Sequence, residues 1–162
     1  TAELPPPAAL RPAGGASTLF LLFAVAFLDQ LTKALAVRSV GPVRLVPHVL
    51  YLQLSYNSGA AWGMLPGRRV FFCLLALAVL AAGVFFRRRL HLEQRWNRVA
   101  FGLVGGGVLG NLLDRIRLGY VVDFIDLHLP HYRWPTFNWA DCALCIGVVL
   151  CLVGSYREKP PN

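Results

Sequence analysis

VFFCLLALAVLAAGVFF, residues 70–86, contains no charge and is bracketed by Arg68-Arg69 on one side and Arg87-Arg88-Arg89 on the other. A helix needs about 20 apolar residues to cross a hydrocarbon core of about 30 Å, and flanking arginines stop at the headgroups. The run therefore reads as a membrane-spanning helix. Working outward, three further apolar stretches stand at 18–37, 99–113 and 139–156. The expected fold class is membrane all-α, a bundle of four transmembrane helices over 18–156. Residues 1–17, rich in Pro, Ala and Gly, are expected to form a flexible tail, and 157–162 a short C-terminal one. Ala34-Leu35-Ala36 has the small-x-small pattern of a signal-peptide cleavage site. Asp29, Gln30 and Lys33 interrupt the end of that apolar run and favour a retained helix.

The whole chain supports this class. Of 162 residues, 56% are hydrophobic and only 15% charged, with mean hydropathy +0.54. Those proportions fit neither a soluble enzyme nor a disordered chain. The net charge of +8 is read as loop Lys and Arg obeying the positive-inside rule, not as a nucleic-acid surface. Residues 87–98 hold five arginines in twelve residues, whereas 38–69 and 114–138 together hold seven in fifty-seven. The denser loop is expected to be cytoplasmic, with both termini on the same side. All five aspartates (Asp29, Asp114, Asp123, Asp126, Asp141) then fall on or near the outer side. The three glutamates (Glu3, Glu93, Glu158) fall on the cytoplasmic side. Asp126 reads as a solvated loop charge. Cys73, Cys142, Cys145 and Cys151 lie in apolar runs and read as small hydrophobic thiols. The Cys142-x-x-Cys145 pair lacks the second pair that zinc requires, so no metal is expected.

The loops and helix ends hold the chemistry. Val49 to Tyr56 mixes β-branched and aromatic residues and suggests one or two strands outside the bilayer. Asn57-Ser58-Gly59 reads as a turn, and small residues surround Trp62, together a β-rich outer lip. Gly102, Gly106 and Gly110 recur every four residues, a stripe that lets a neighbouring helix approach closely. Asn111, Asp114 and Arg115 follow on one face, where spacing leaves a packing network and a catalytic cluster equally open. Asp29 and Lys33, i and i+4, read as a structural ion pair. Asp123 and Asp141 each interrupt apolar sequence near the outer face. Two desolvated carboxyls brought together would share one proton, the state in which one accepts a proton from water while the other donates to a carbonyl oxygen. Spacing alone does not make them neighbours.

Four runs, NSGAAWG (57–63), GGxxGNLLDR (106–115), VVDFI (121–125) and FNWAD (137–141), together resemble the bacterial lipoprotein signal peptidases, the type II signal peptidases. The resemblance covers roughly residues 20–156. It implies an aspartyl endopeptidase that cuts prolipoproteins just before a diacylglyceryl-modified cysteine, with Asp123 and Asp141 as the catalytic dyad. It further implies that Asn57, Asn111, Arg115 and Asn138 orient the substrate or the dyad and that Asp114 is supporting. Asp29 and Lys33 match a D-x-x-x-K feature of its first helix. The expected setting is the bacterial inner membrane, with the site facing outward and no cofactor. The expected partners are prolipoproteins with a lipidated cysteine and membrane lipid, not nucleic acid, and the expected state is a monomer. His48, His91, His128 and His131 match none of the motifs, and no Ser stands in a nucleophile-like context.

Two other classes compete. A small ion or proton-coupled transporter would use Asp29, Lys33 and Asp114 as a path, but its acids should spread across the bilayer depth. A purely structural subunit would leave two desolvated aspartates near one face without a purpose.

Overall fold

The computed structural model describes residues 15–39, 41–60 and 64–157. Residues 1–14 of the tail expected over 1–17, the C-terminal residues 158–162 and Ala61-Trp62-Gly63 of the lip lie outside the described residues, as do Glu3 and Glu158; residues 15–17 are helical. In chain order the elements are α1 (Gly15–Arg38), β1 (Val43–Val46), β2 (Leu50–Asn57), α2 (Arg69–Phe85), α3 (Arg95–Arg117), β3 (Val121–Leu129), β4 (Tyr132–Arg133) and α4 (Trp139–Arg157). A 3-10 turn at Arg87–Arg89 follows α2. The strands form one small antiparallel sheet in the order β1-β2-β3-β4.

Among the described residues two helices, α1 and α3, are long and apolar enough to cross a membrane; α2 and α4 are shorter apolar helices. The 24 residues of α1 would span about 36 Å at 1.5 Å per residue. Burial is inverted relative to a water-soluble domain. Phe20, Val70 and Phe85 are at least 70% exposed, while Asp29, Asp126 and Asn138 are fully buried. No residue of α2 is buried. Apolar surface of that extent costs little only against an apolar surrounding, and polar groups are driven inward to one another.

Helix α3 is the centre, packed against α1, α2 and α4. Its glycines make this possible. A Cβ on Gly106 would stand 2.6 Å from the carbonyl oxygen of Leu22 in α1. One on Gly107 would stand 2.6 Å from the carbonyl oxygen of Ala140 in α4. Gly102 and Gly110 complete the face toward α1, against Leu21 and Asp29.

Three sequence expectations need correction. The third apolar stretch ends at 113, but the helix runs on to Arg117, so Asp114 lies within α3 and not in a loop. Helical hydrogen bonding continues past the apolar run because these polar side chains find buried partners on other elements. Likewise 114–138 is not all loop: β3 pairs with β2 along its length, joining the two outer connections into one sheet. The third correction is Asp126, which is fully buried and ion-paired to Arg133 rather than solvated.

Candidate active site

The site forms where α1, α3, α4 and β3 meet. Asn138 immediately precedes α4 and Asp141 is the third residue of the helix. Asp141 N–H donates to Asn138 Oδ1 at 3.1 Å, and Asn138 N–H donates to Asp141 Oδ2 at 3.2 Å. This reciprocal arrangement is a capping box, which satisfies two orphan donors at a helix start and fixes both side chains. The amide of Asn138 then reaches outward. Its Nδ2 donates to Asp123 Oδ1 at 2.7 Å and to Asn111 Oδ1 at 3.2 Å. Asn111, from α3, donates to Asp141 Oδ1 at 2.9 Å.

Asp123 and Asp141 are thus joined through one fully buried asparagine, although eighteen positions separate them. Asp123 is held from its other side by Asn57 Nδ2, which donates to Oδ2 at 3.2 Å. Asn57 ends β2 and is fixed by an Asx-type turn, its Oδ1 accepting from Gly59 N–H at 2.9 Å.

Beneath this pair lies a cluster of buried charge. Lys33 Nζ sits 2.8 Å from Asp29 Oδ2, 2.8 Å from Asp114 Oδ2 and 3.0 Å from Asn111 Oδ1. Three donors meet three acceptors, which is what a buried ammonium needs. Asp29 Oδ1 accepts from Ala140 N–H at 3.0 Å and so ties the start of α4 to α1. Asp114 Oδ2 accepts from Val122 N–H at 3.1 Å and ties the start of β3 to α3. Gln30, absent from the sequence-level candidates, joins in by donating to Asp114 Oδ1 at 2.8 Å. Its signal was available: a polar residue inside an apolar helix. Among the described residues no buried side-chain nitrogen or oxygen lacks a partner.

Arg115 makes no hydrogen bond to either aspartate. It donates to Gly59 carbonyl oxygen at 3.0 Å and to Asn111 carbonyl oxygen at 3.4 Å, with its guanidinium 5.0 Å from the Phe72 ring centroid. Its contacts hold the turn after β2. Asp126 stands apart, with Arg133 and His128. Cys73, Cys142 and Cys145 are free thiols, and the last two line the cavity described next.

A cavity of about 820 Å³ opens over the pair. Asp123, Asp141, Asn57, Asn111 and Arg115 provide its polar wall, and Trp134, Phe137, Leu144 and Leu127 its apolar one. Burial pushes the Asp123 carboxyl up from 3.8 to about 6, with the negative charge of Asp141 adding to the rise and the Asn138 and Asn57 amides opposing it. A carboxyl that holds its proton near pH 6, beside a second carboxyl in the same cavity wall, is equipped for general acid–base attack of water on a carbonyl.

Comparison with known proteins gives the family and the fold. Residues 21–157 match the signal peptidase (SPase) II family. The chain is 42% identical over 139 residues to a lipoprotein signal peptidase of Staphylococcus carnosus, covering 84% of this chain and 87% of that one. It is 44% identical over 142 residues to a lipoprotein signal peptidase of Geobacillus kaustophilus, covering 86% and 92%. Two solved structures of a bacterial membrane enzyme, determined in meso, superpose with TM-scores of 0.81 and 0.75 at 33% and 32% identity. They cover 91% and 89% of this chain and 95% of each of theirs.

Proposed function

The chain belongs to the signal peptidase II family, and from that premise we propose that Asp123 and Asp141 are the dyad with which it cleaves. The protein is a membrane aspartic endopeptidase that removes signal peptides from prolipoproteins. In the proposed mechanism the two carboxyls share one proton. The ionised member takes a proton from a water molecule, which attacks the scissile carbonyl, while the protonated member donates to the carbonyl oxygen. Asn138 and Asn111 keep the pair in register, and Asn57 fixes Asp123 from the β2 side. The observation that carries the reading is the single buried asparagine bonded to both aspartates at the wall of a partly apolar cavity.

The setting follows by the same reasoning. All four helices span the inner membrane, with both termini cytoplasmic and the sheet as an outer lip. The site faces the extracytoplasmic side, and the chain works as a monomer. The substrate's diacylglyceryl chains lie against the apolar wall while the bond before the modified cysteine reaches Asp123 and Asp141. Lys33, Asp29 and Asp114 are structural: all of Lys33's donors are engaged by fixed acceptors, which is a poor arrangement for a conducting path and disfavours transport. The test is cleavage of lipidated and unlipidated prolipoprotein by the purified chain in lipid vesicles, read by product mass. The proposal expects a cut immediately before the lipidated cysteine and little cleavage of the unlipidated form. Equal cleavage of both would contradict it.

A further inference from the structure

Strand β3 presents two faces. Val121, Asp123, Leu127 and Leu129 line the cavity, whereas Asp126 and His128, at the alternate positions, project from the other face. There Asp126, fully buried, accepts from Arg133 Nε at 3.0 Å and Nη2 at 2.7 Å, a two-pronged fork, and lies 3.0 Å from His128 Nε2. Tyr51, opposite Asp126 in the β2–β3 register, stacks on His128 with ring centroids 4.7 Å apart. None of these groups bonds Asp123 or Asp141, so hydrolysis as described gives this ion pair, buried only on its Asp126 side, no task.

Its position supplies one. Arg133 ends β4, and the next four residues, Trp134 to Phe137, wall the cavity. This segment is held at both ends. At the far end Phe137 N–H donates to Ile125 carbonyl oxygen at 3.0 Å and Ile125 N–H donates back at 2.8 Å. Asn138 follows, fixed by its own bonds to both aspartates. At the near end β4 pairs with β3 at two positions, Trp134 N–H donates to Leu127 carbonyl oxygen at 2.9 Å, and Arg133 is clamped to Asp126 just before it. A two-residue strand paired at only two positions is a weak anchor. A fork of charge-assisted hydrogen bonds to a buried carboxylate is a strong one.

We propose that the Asp126–Arg133 pair is a positioning latch that sets the Trp134–Thr136 wall and thereby the fit of substrate in the cavity, without touching the reacting atoms. The inference rests on that cavity being the substrate site. Because Asn138 is held independently, loosening the latch moves the wall and leaves the dyad in place. The signature is a rise in KM with kcat retained.

The experiment measures prolipoprotein cleavage for Asp126→Asn, Arg133→Gln and the double variant beside wild type, with Asp123→Asn as a parallel control. Arg133 is more than half exposed, so Arg133→Gln spares the packing that Asp126→Asn risks. Each of the three is expected to raise KM about tenfold with kcat within about twofold, the double no worse than the singles, as for partners in one charge-assisted interaction. Unchanged KM, or a fall in kcat at constant KM, would overturn the latch. So would failure of all three variants to accumulate in the membrane, since the cluster would then hold the fold as a whole. Full activity in Asp123→Asn would instead refute the dyad, separating the two failures.

Discussion

Asn138 and Asp141 hydrogen-bond each other in opposite senses, backbone to side chain each way, while the amide of Asn138 donates to Asp123 at 2.7 Å. One residue therefore starts helix α4, aims one aspartate and holds the other. Removing that amide should disturb both carboxyls together.

Asn138→Ala is expected to lower kcat about 100-fold, the upper range for loss of a group that orients first-line residues. It should also push the Asp123 pKa higher still, because the amide bond now opposes the rise caused by burial. Infrared titration of the carboxyl band checks the second effect. A pKa that falls, with kcat unchanged, would contradict the assignment.

The pH dependence has a definite sign. Asp123 in the folded chain holds its proton to about pH 6, above its ordinary 3.8. The kcat/KM profile of the free enzyme should therefore fall on the alkaline side with an apparent pKa of about 6, a value belonging to the pair. Asp141→Asn removes a like charge and should lower the Asp123 pKa. For stability, a raised carboxyl pKa means that the contribution is intact below 3.8 and is lost as pH rises through about 6, on the order of 3 kcal/mol. The Tm of Asp123→Asn minus that of wild type should hence be more positive at about pH 7 than at about pH 4. A pH-independent difference would contradict this.

Lys33 separates Asp29 from Asp114, 2.8 Å from each. Lys33→Met should destabilise the protein by about 3–5 kcal/mol, because it leaves two buried carboxylates without their cation. Adding Asp29→Asn and Asp114→Asn should recover part of the loss, as neutral amides need no counter-charge. Thermal unfolding in detergent measures both steps.

Gly107 faces a backbone oxygen that has no freedom to withdraw. Gly107→Ala should cost about 1–3 kcal/mol by forcing α3 and α4 apart. Gly83, where an added Cβ meets nothing, is the control: Gly83→Ala should be neutral or stabilising.

Much of this architecture could be read from residue pattern. The apolar runs located the helices because lipid-facing segments must be continuously apolar, and the glycine stripe foretold a close neighbour for α3, which the structure shows to be α1. Strand β3 escaped notice because its core, VVDFI, is buried on both faces and lacks the alternation that marks a half-exposed strand. Asp126 was misread for a related reason: its partner Arg133 lies seven residues away across a hairpin, a separation no helical or local spacing rule connects. The aspartate pair was recognisable as two carboxyls in apolar sequence. The resemblance alone pointed to Asn138, and its bonds to both were not legible, since they depend on the Ile125–Phe137 bridge that sets the start of α4 against β3.

The most direct measurement is the kcat of prolipoprotein cleavage by Asp123→Asn and Asp141→Asn, assayed separately with membrane insertion verified. Each is expected to fall at least about 1,000-fold, as loss of one member of an interdependent catalytic pair does. Substantial cleavage by either variant would contradict the claim that the two carboxyls act together.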